Sequence, residues 1–169
     1  MAKPQIEPCD VWELARLGAR LEGELALAQA PRLAAELADT AGALRYAFSG
    51  LIDAQGRPAA RLELAGELRV RCDRCGGAVA LPIDERAEFH FVADEAELEK
   101  LPIDDLPEEP LVGSRRFDLG ALVEDQAILA LPISPRHAGC VPVDLEPAEG
   151  EAETYRPFEA LAALKRSRQ

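Results

Sequence analysis

The chain has 169 residues, 48% of them apolar, a length and composition that suit one domain around a single sizeable core. Nineteen basic residues against thirty-one acidic ones give a formal net charge of −12, which disfavours broad electrostatic binding to a phosphate backbone and favours a basic partner. The first residues, Met1 to Pro8, lack the apolar run of a secretory leader, and no later stretch approaches a bilayer-spanning length. The expected setting is cytoplasmic, with no membrane partner.

An N-terminal helix is predicted from Asp10, whose carboxylate can cap it, with Glu13 three residues on completing a capping-box pattern before Leu14 and Leu17. Trp12 on this helix is expected to pack on the domain. Leu21, Gly23, Leu25 and Leu27 then alternate with polar or small residues, the period of a half-buried strand running to about Ala28. Ala30-Pro31 opens a second helix carrying Leu33, Ala34, Leu37 and Ala38, with Gly42 as its stop.

Leu44, Tyr46 and Phe48 alternate up to Asp53, and Leu62, Leu64, Leu68 and Val70 alternate beyond Ala54 to Pro58, which together predict a long antiparallel hairpin. A further strand, or a strand pair broken near Pro82, spans Ala78 to Val92, with Phe89 and Phe91 on one face and His90 on the other. Residues 94–110 are dominated by acids with three prolines interleaved, and read as an acidic loop with one helical turn.

The most helix-like stretch begins at the cap Asp118 and places Leu119, Leu122, Val123, Ala127 and Ala130 on one stripe before Pro132; Ile128, Leu129 and Leu131 widen that stripe, which predicts a well-buried helix. A second acidic loop spans about 141–154. A basic C-terminal tail at about 157–169 follows, with an amphipathic turn over Phe158, Leu161 and Leu164 and then Lys165, Arg166 and Arg168. The sum is one α+β domain over residues 1–169: an antiparallel sheet of four or more strands, with a barrel-like closure as one form, packed by helices.

Four cysteines at 9, 72, 75 and 140 are too few and too unevenly spaced for a secreted disulfide framework, so reduced thiols or a metal site are expected. Cys72-Asp73-Arg74-Cys75-Gly76-Gly77 sits where a strand turns, and two thiolates two residues apart can reach one zinc ion. A closed tetrahedral site needs four ligands, and His137-Ala138-Gly139-Cys140 offers a second pair. Cys72, Cys75, His137 and Cys140 are therefore the candidate zinc set, and no other cofactor is expected. The alternative is that the first pair are turn thiols which the second pair, some sixty residues on, never meets. A thioredoxin-like redox pair would want to sit at a helix N-terminus after a parallel strand, and the context here is a β-turn.

Glu124 and Asp125 on the long helix point about 100 degrees apart, too divergent for an acid and base acting on one substrate, and are expected on a solvated or partner-facing edge. His90 lacks a neighbouring nucleophile in sequence, and the chain has no phosphate-cradling glycine loop or Gly-x-Ser-x-Gly elbow. The terminal Lys165, Arg166 and Arg168 could touch phosphates or complement the end of a helix.

Three stretches carry a resemblance to a known family: Cys72-Asp73-Arg74-Cys75-Gly76; Phe117 to Asp125 running on to Leu129-Ala130-Leu131-Pro132; and Pro157-Phe158-Glu159-Ala160-Leu161-Ala162-Ala163-Leu164-Lys165. In order and spacing they resemble the YceD family of large ribosomal RNA subunit accumulation proteins, over most of the chain. The resemblance implies a role in synthesis, processing or stability of large-subunit (23S) ribosomal RNA, with no enzyme activity and no small-molecule substrate. Some relatives look richer in cysteine after the Leu-Pro than this chain, which keeps only His137 and Cys140 there.

The expected function is that of a non-enzymatic adaptor that presents Glu124, Asp125 and the acidic loops, with Phe158, Lys165, Arg166 and Arg168 as further contacts, to a basic ribosomal protein or processing factor. The alternative is a protein that holds precursor ribosomal RNA directly through Arg69, Arg71, Arg74 and the basic tail. A third reading, a nuclease or thiol oxidoreductase, has only the Cys-x-x-Cys behind it.

Overall fold

The computed structural model describes residues 6–101 and 109–140. Its frame is a hairpin that the alternation of apolar residues dictates. Strands β2 (Ala43–Ile52) and β3 (Pro58–Arg71) pair antiparallel from Arg45↔Ala65 to Ile52↔Pro58. Their connection is held by the Asp53 carboxylate, which accepts from the N–H groups of Gln55 (2.9 Å) and Arg57 (2.8 Å), while Gly56 takes the positive φ of +80° that the turn demands.

β1 (Arg20–Ala26) adds to β2, β4 (Ala78–Val92) adds to β3, and β5 (Glu109–Val112) lies parallel to β4, giving the order β1-β2-β3-β4-β5. The sheet is open, with β1 and β5 at its edges, so the barrel-like closure is not what forms. β5 is a strand that the reading of 94–110 as an acidic loop did not foresee. The helical turn expected there is present as α3 (Glu95–Leu98), with the Asp94 side chain accepting from the Glu97 N–H at 2.8 Å.

β4 is one continuous strand, not a pair broken at Pro82. The bond from the Cys72 N–H to the Gly77 carbonyl (2.8 Å) and the constant register, which sets Pro82 opposite Glu67, put Pro82 in a non-hydrogen-bonded pair. The nitrogen of Pro82 therefore faces away from β3, and no ladder bond is lost. Phe89 and Phe91 do lie on the core side; His90, opposite in the alternation, is also fully buried.

Three helices cover one face of the sheet. α1 (Val11–Leu17) is capped as expected, with the Asp10 carboxylate accepting from the N–H groups of Trp12 (3.0 Å) and Glu13 (3.2 Å); Glu13 pairs with Arg16 at 3.6 Å. Trp12 meets Phe91 edge to face, with ring centroids 6.2 Å apart. β1 ends at Ala26, and Leu27–Gln29 turn as a short 3-10 helix.

α2 (Pro31–Glu36) is shorter than the apolar spacing suggested: Leu37 is extended and bridges to Val70, and Ala38 donates to the Arg69 carbonyl at 2.6 Å. α4 (Leu119–Leu129) starts at its expected cap, where Asp118 accepts from Ala121 at 2.9 Å. Its core side is Leu119, Leu122, Val123 and Ala127, but Leu129 is 71% exposed and does not widen the buried stripe.

Glu124 does not lie on a solvated edge. It is 7% exposed, and one of its carboxylate oxygens accepts from the N–H groups of Arg32 (2.7 Å) and Leu33 (3.0 Å) at the start of α2. That start has no cap of its own, because Ala30 offers no side-chain acceptor, so a residue of α4 satisfies the orphan amides. The other oxygen takes the Arg32 guanidinium at 3.1 Å, and Asp125 grips the same guanidinium. The two carboxylates that seemed too divergent to act together thus converge on one arginine, whose long side chain closes the angle between them.

Glu124→Ala should lower stability by about 1–3 kcal/mol in urea unfolding, because it strands the amides of Arg32 and Leu33, while the half-exposed Arg32 guanidinium keeps Asp125. Glu124→Gln keeps an acceptor for the amides and should cost less. A loss within about 0.5 kcal/mol for the alanine variant would show that the tie contributes little.

Candidate metal centre

β3 and β4 are joined by Cys72–Gly77, and the ladder runs into this connection through the Cys72 to Gly77 bond. Gly76 takes φ +71° and returns its N–H to the Cys72 carbonyl at 2.8 Å, a turn that brings Cys75 back over Cys72. Gly77 lies so close beneath the site that a Cβ there would stand 3.5 Å from both Cys75 Sγ and His137 Cε1.

The second half of the site arrives after α4. Pro135 gives its carbonyl to the Asp73 N–H (2.9 Å), which docks the segment on the hairpin turn. Gly139 at φ +73° then turns the chain so that His137 and Cys140 face the first pair. Arg74 spans the two halves: its N–H lies 3.4 Å from Cys72 Sγ, and its guanidinium donates to the Cys140 carbonyl at 3.0 Å.

The four donor atoms lie within 4.8 Å of one another. Cys72 Sγ and Cys140 Sγ are 3.5 Å apart, and Cys75 Sγ is 3.5 Å from His137 Nδ1. Around a tetrahedral zinc ion with Zn–S of about 2.3 Å and Zn–N of about 2.0–2.1 Å, two sulfurs stand about 3.8 Å apart and a sulfur and nitrogen about 3.6 Å apart. These two pairs are thus within a few tenths of an ångström of the spacing a metal ion requires, and the whole set lies within 4.8 Å.

The ring of His137 is oriented for the same task. Its Nε2 lies 2.8 Å from the Ala78 carbonyl, which can only accept, so Nε2 carries the proton and the Nδ1 lone pair is turned to the sulfurs. The Ala78 carbonyl, aided by the Cys72 sulfur, raises the pKa of His137. Burial opposes ionisation of Cys72, but N–H groups of His137, Cys75 and Arg74 directed at its sulfur overcome it and bring the thiol down to about 5. Burial and the neighbouring Cys72 sulfur push Cys140 up to about 11. One thiolate is thus favoured and a second resisted, a conflict that a bound dication would relieve by bonding the sulfurs and offsetting most of their charge.

All four residues named from spacing therefore meet, although some sixty residues separate the two pairs. The Cys-x-x-Cys lies between antiparallel strands, not at a helix N-terminus. Arg69 and Arg71 are exposed at the end of β3, and Arg69 pairs with Asp39 at 2.8 Å. Arg74 is exposed at the turn itself. Phe158, Lys165, Arg166 and Arg168, the acidic loop 141–154 and residues 102–108 lie outside the described residues. The carbonyls of Ala78 and Pro135, which orient the ligands, were not foreseen, since a backbone acceptor leaves no mark in side-chain identity.

Among the described residues, fold and site together define an α+β protein built on one five-stranded sheet, whose longest hairpin ends in a Cys₃His cluster able to hold a metal ion. A family model described as large ribosomal RNA subunit accumulation protein YceD matches residues 60–165, and the chain belongs to that family. The matched range holds both halves of the cluster. Membership links the protein to accumulation of the large ribosomal RNA subunit. No solved structure matches the chain. Among the described residues no helix is long and apolar enough to cross a membrane.

Elemental analysis of purified protein should find one bound metal ion per chain, and Cys72→Ser or Cys140→Ser should abolish it. Chelation should lower the melting temperature of the parent chain while leaving that of the serine variants unchanged. A metal-free parent chain with normal stability would refute the site.

Proposed function

We propose that the protein is a non-enzymatic, cytoplasmic accessory factor for large-subunit ribosomal RNA, a rigid adaptor that receives a basic ribosomal or processing protein on its acidic surface. Zinc held by Cys72, Cys75, His137 and Cys140 is the cofactor of this reading. The observation that carries it is the completeness of the cluster. Four protein donors fill a tetrahedral shell and leave no open position for water or substrate, which is the pattern of structural rather than catalytic zinc. The ion fastens the segment after α4 to the end of the longest hairpin. The basic character of the partner follows from the net charge of −12.

The test is recovery of tagged protein from cytosol at low and moderate salt, with and without nuclease. A basic ribosomal or processing protein retained after nuclease, and released as salt rises, is the expected result. Recovery of precursor RNA that nuclease removes, with no protein retained, would replace the adaptor by direct RNA binding. That second reading is favoured by the exposed Arg69, Arg71 and Arg74 at one end of the hairpin, where basic charge gathers on an acidic protein. Under it, Arg69→Glu with Arg71→Glu, which touch no metal ligand, should weaken RNA recovery by about tenfold or more; under the adaptor reading these changes leave the protein partner in place.

A further inference from the structure

Three of the four cysteines stand in one cluster, and they are not equivalent. Cys72 is 2% exposed, whereas Cys75 and Cys140 are half-buried and open to a small solute. Cys72 Sγ and Cys140 Sγ face each other across the two halves of the site at 3.5 Å, while Cys75 Sγ stands at the same distance from the His137 ring. A disulfide holds its sulfurs about 2.05 Å apart, so a movement of about 0.7 Å by each closes the gap from 3.5 Å.

Backbone contacts keep these two sulfurs neighbours without help from any ligand. The Asp73 N–H donates to the Pro135 carbonyl at 2.9 Å, next in the chain to Cys72. The Arg74 guanidinium donates to the carbonyl of Cys140 itself at 3.0 Å. The segment after α4 is therefore docked on the hairpin turn by bonds that involve neither a sulfur nor an ion. Cys9, whose backbone pairs with Phe117, is not in the cluster and serves as an internal control.

We propose that Cys72 and Cys140 are an oxidative modification site, where hydrogen peroxide or an organic hydroperoxide forms a disulfide that expels the metal ion and leaves the segment after α4 fastened to the hairpin. Cys140, the more exposed of the two, attacks a peroxide oxygen and becomes a sulfenic acid, and the other oxygen leaves as water or alcohol. Cys72 then attacks the sulfenic sulfur, and the hydroxyl leaves as water. Two electrons pass from the sulfurs to the peroxide; the two protons come from the thiols, or from solvent where the sulfurs are metal-bound. A dithiol reverses the change by exchange. Once the disulfide has formed, Cys75 and His137 are the two donors left in the cluster, too few for a closed tetrahedral site. The release of an ion rests on the metal reading, and the link rests on the sulfur geometry alone.

The test titrates the full chain with hydrogen peroxide and follows zinc release to a chromogenic chelator, thiol count after denaturation, and the map of unreduced peptides. Two of the four thiols should disappear, zinc should be released in step, and one peptide should join Cys72 to Cys140. Dithiothreitol with added zinc should restore the thiols and the metal. Cys75→Ser lacks one ligand but keeps both sulfurs; it should form the same link, and its linked form should melt above its reduced form. A Cys72 to Cys75 bond, a link between chains, or sulfinic acid at Cys140 without a disulfide would overturn the proposal and leave the metal reading in place, and so would thiols that survive peroxide. These outcomes are read on the unaltered chain, so they decide the matter even if the serine variant is unfolded. A chain purified without metal that still joins Cys72 to Cys140 would refute the metal reading and support the modification site.

Discussion

The ladder between β3 and β4 is the constraint from which the other features follow. It keeps one register from Ala59↔His90 to Arg71↔Ala78. A slip of one residue would turn Phe89 and Leu68 to solvent and move Cys72 off the turn, so hydrophobic burial at one end and ligand placement at the other depend on the same pairing. That pairing also decides what Pro82 does: a residue that reads as a breaker sits where its missing N–H removes no bond to β3.

The helices are tied down by charge as well as by apolar contact. α2 is only 6 residues long and has no cap of its own, a helix that would not persist alone in water. Glu124 supplies the missing acceptor from α4, and Arg32 returns the charge. A buried carboxylate is tolerable here because amides and a guanidinium surround it. The same contact orders two helices that are remote in sequence, and so closes the core over Leu33 and Val123.

Much of this was legible in the sequence, for identifiable reasons. Period-two alternation fixed β2 and β3, and Asp10 and Asp118 announced their helices because a capping carboxylate acts on amides two or three residues away. The metal ligands were named from local spacing, since Cys-x-x-Cys-Gly and His-x-Gly-Cys each describe one tight turn. What escaped was non-local. β5 is formed by a segment with no alternation of its own, and its partner is a parallel strand reached through a long connection. Glu124 looked like a surface acid because only α2, ninety residues earlier, gives it a buried role. Leu129 reads as core because its neighbours Ile128, Ala130 and Leu131 do pack against the core, and apolar character alone does not tell which of the four turns outward.

The cluster joins residues 68 positions apart, from Cys72 to Cys140, and this span has a consequence for the unfolded chain. A cross-link across so long a loop removes conformational entropy worth roughly 4 kcal/mol from the denatured ensemble, by the same relation that describes a disulfide. That is of the order of a small domain's whole stability. An ion held by both pairs would make the folded population respond to metal supply, so a cell short of that metal would lose the protein by unfolding and proteolysis while its synthesis continued unchanged.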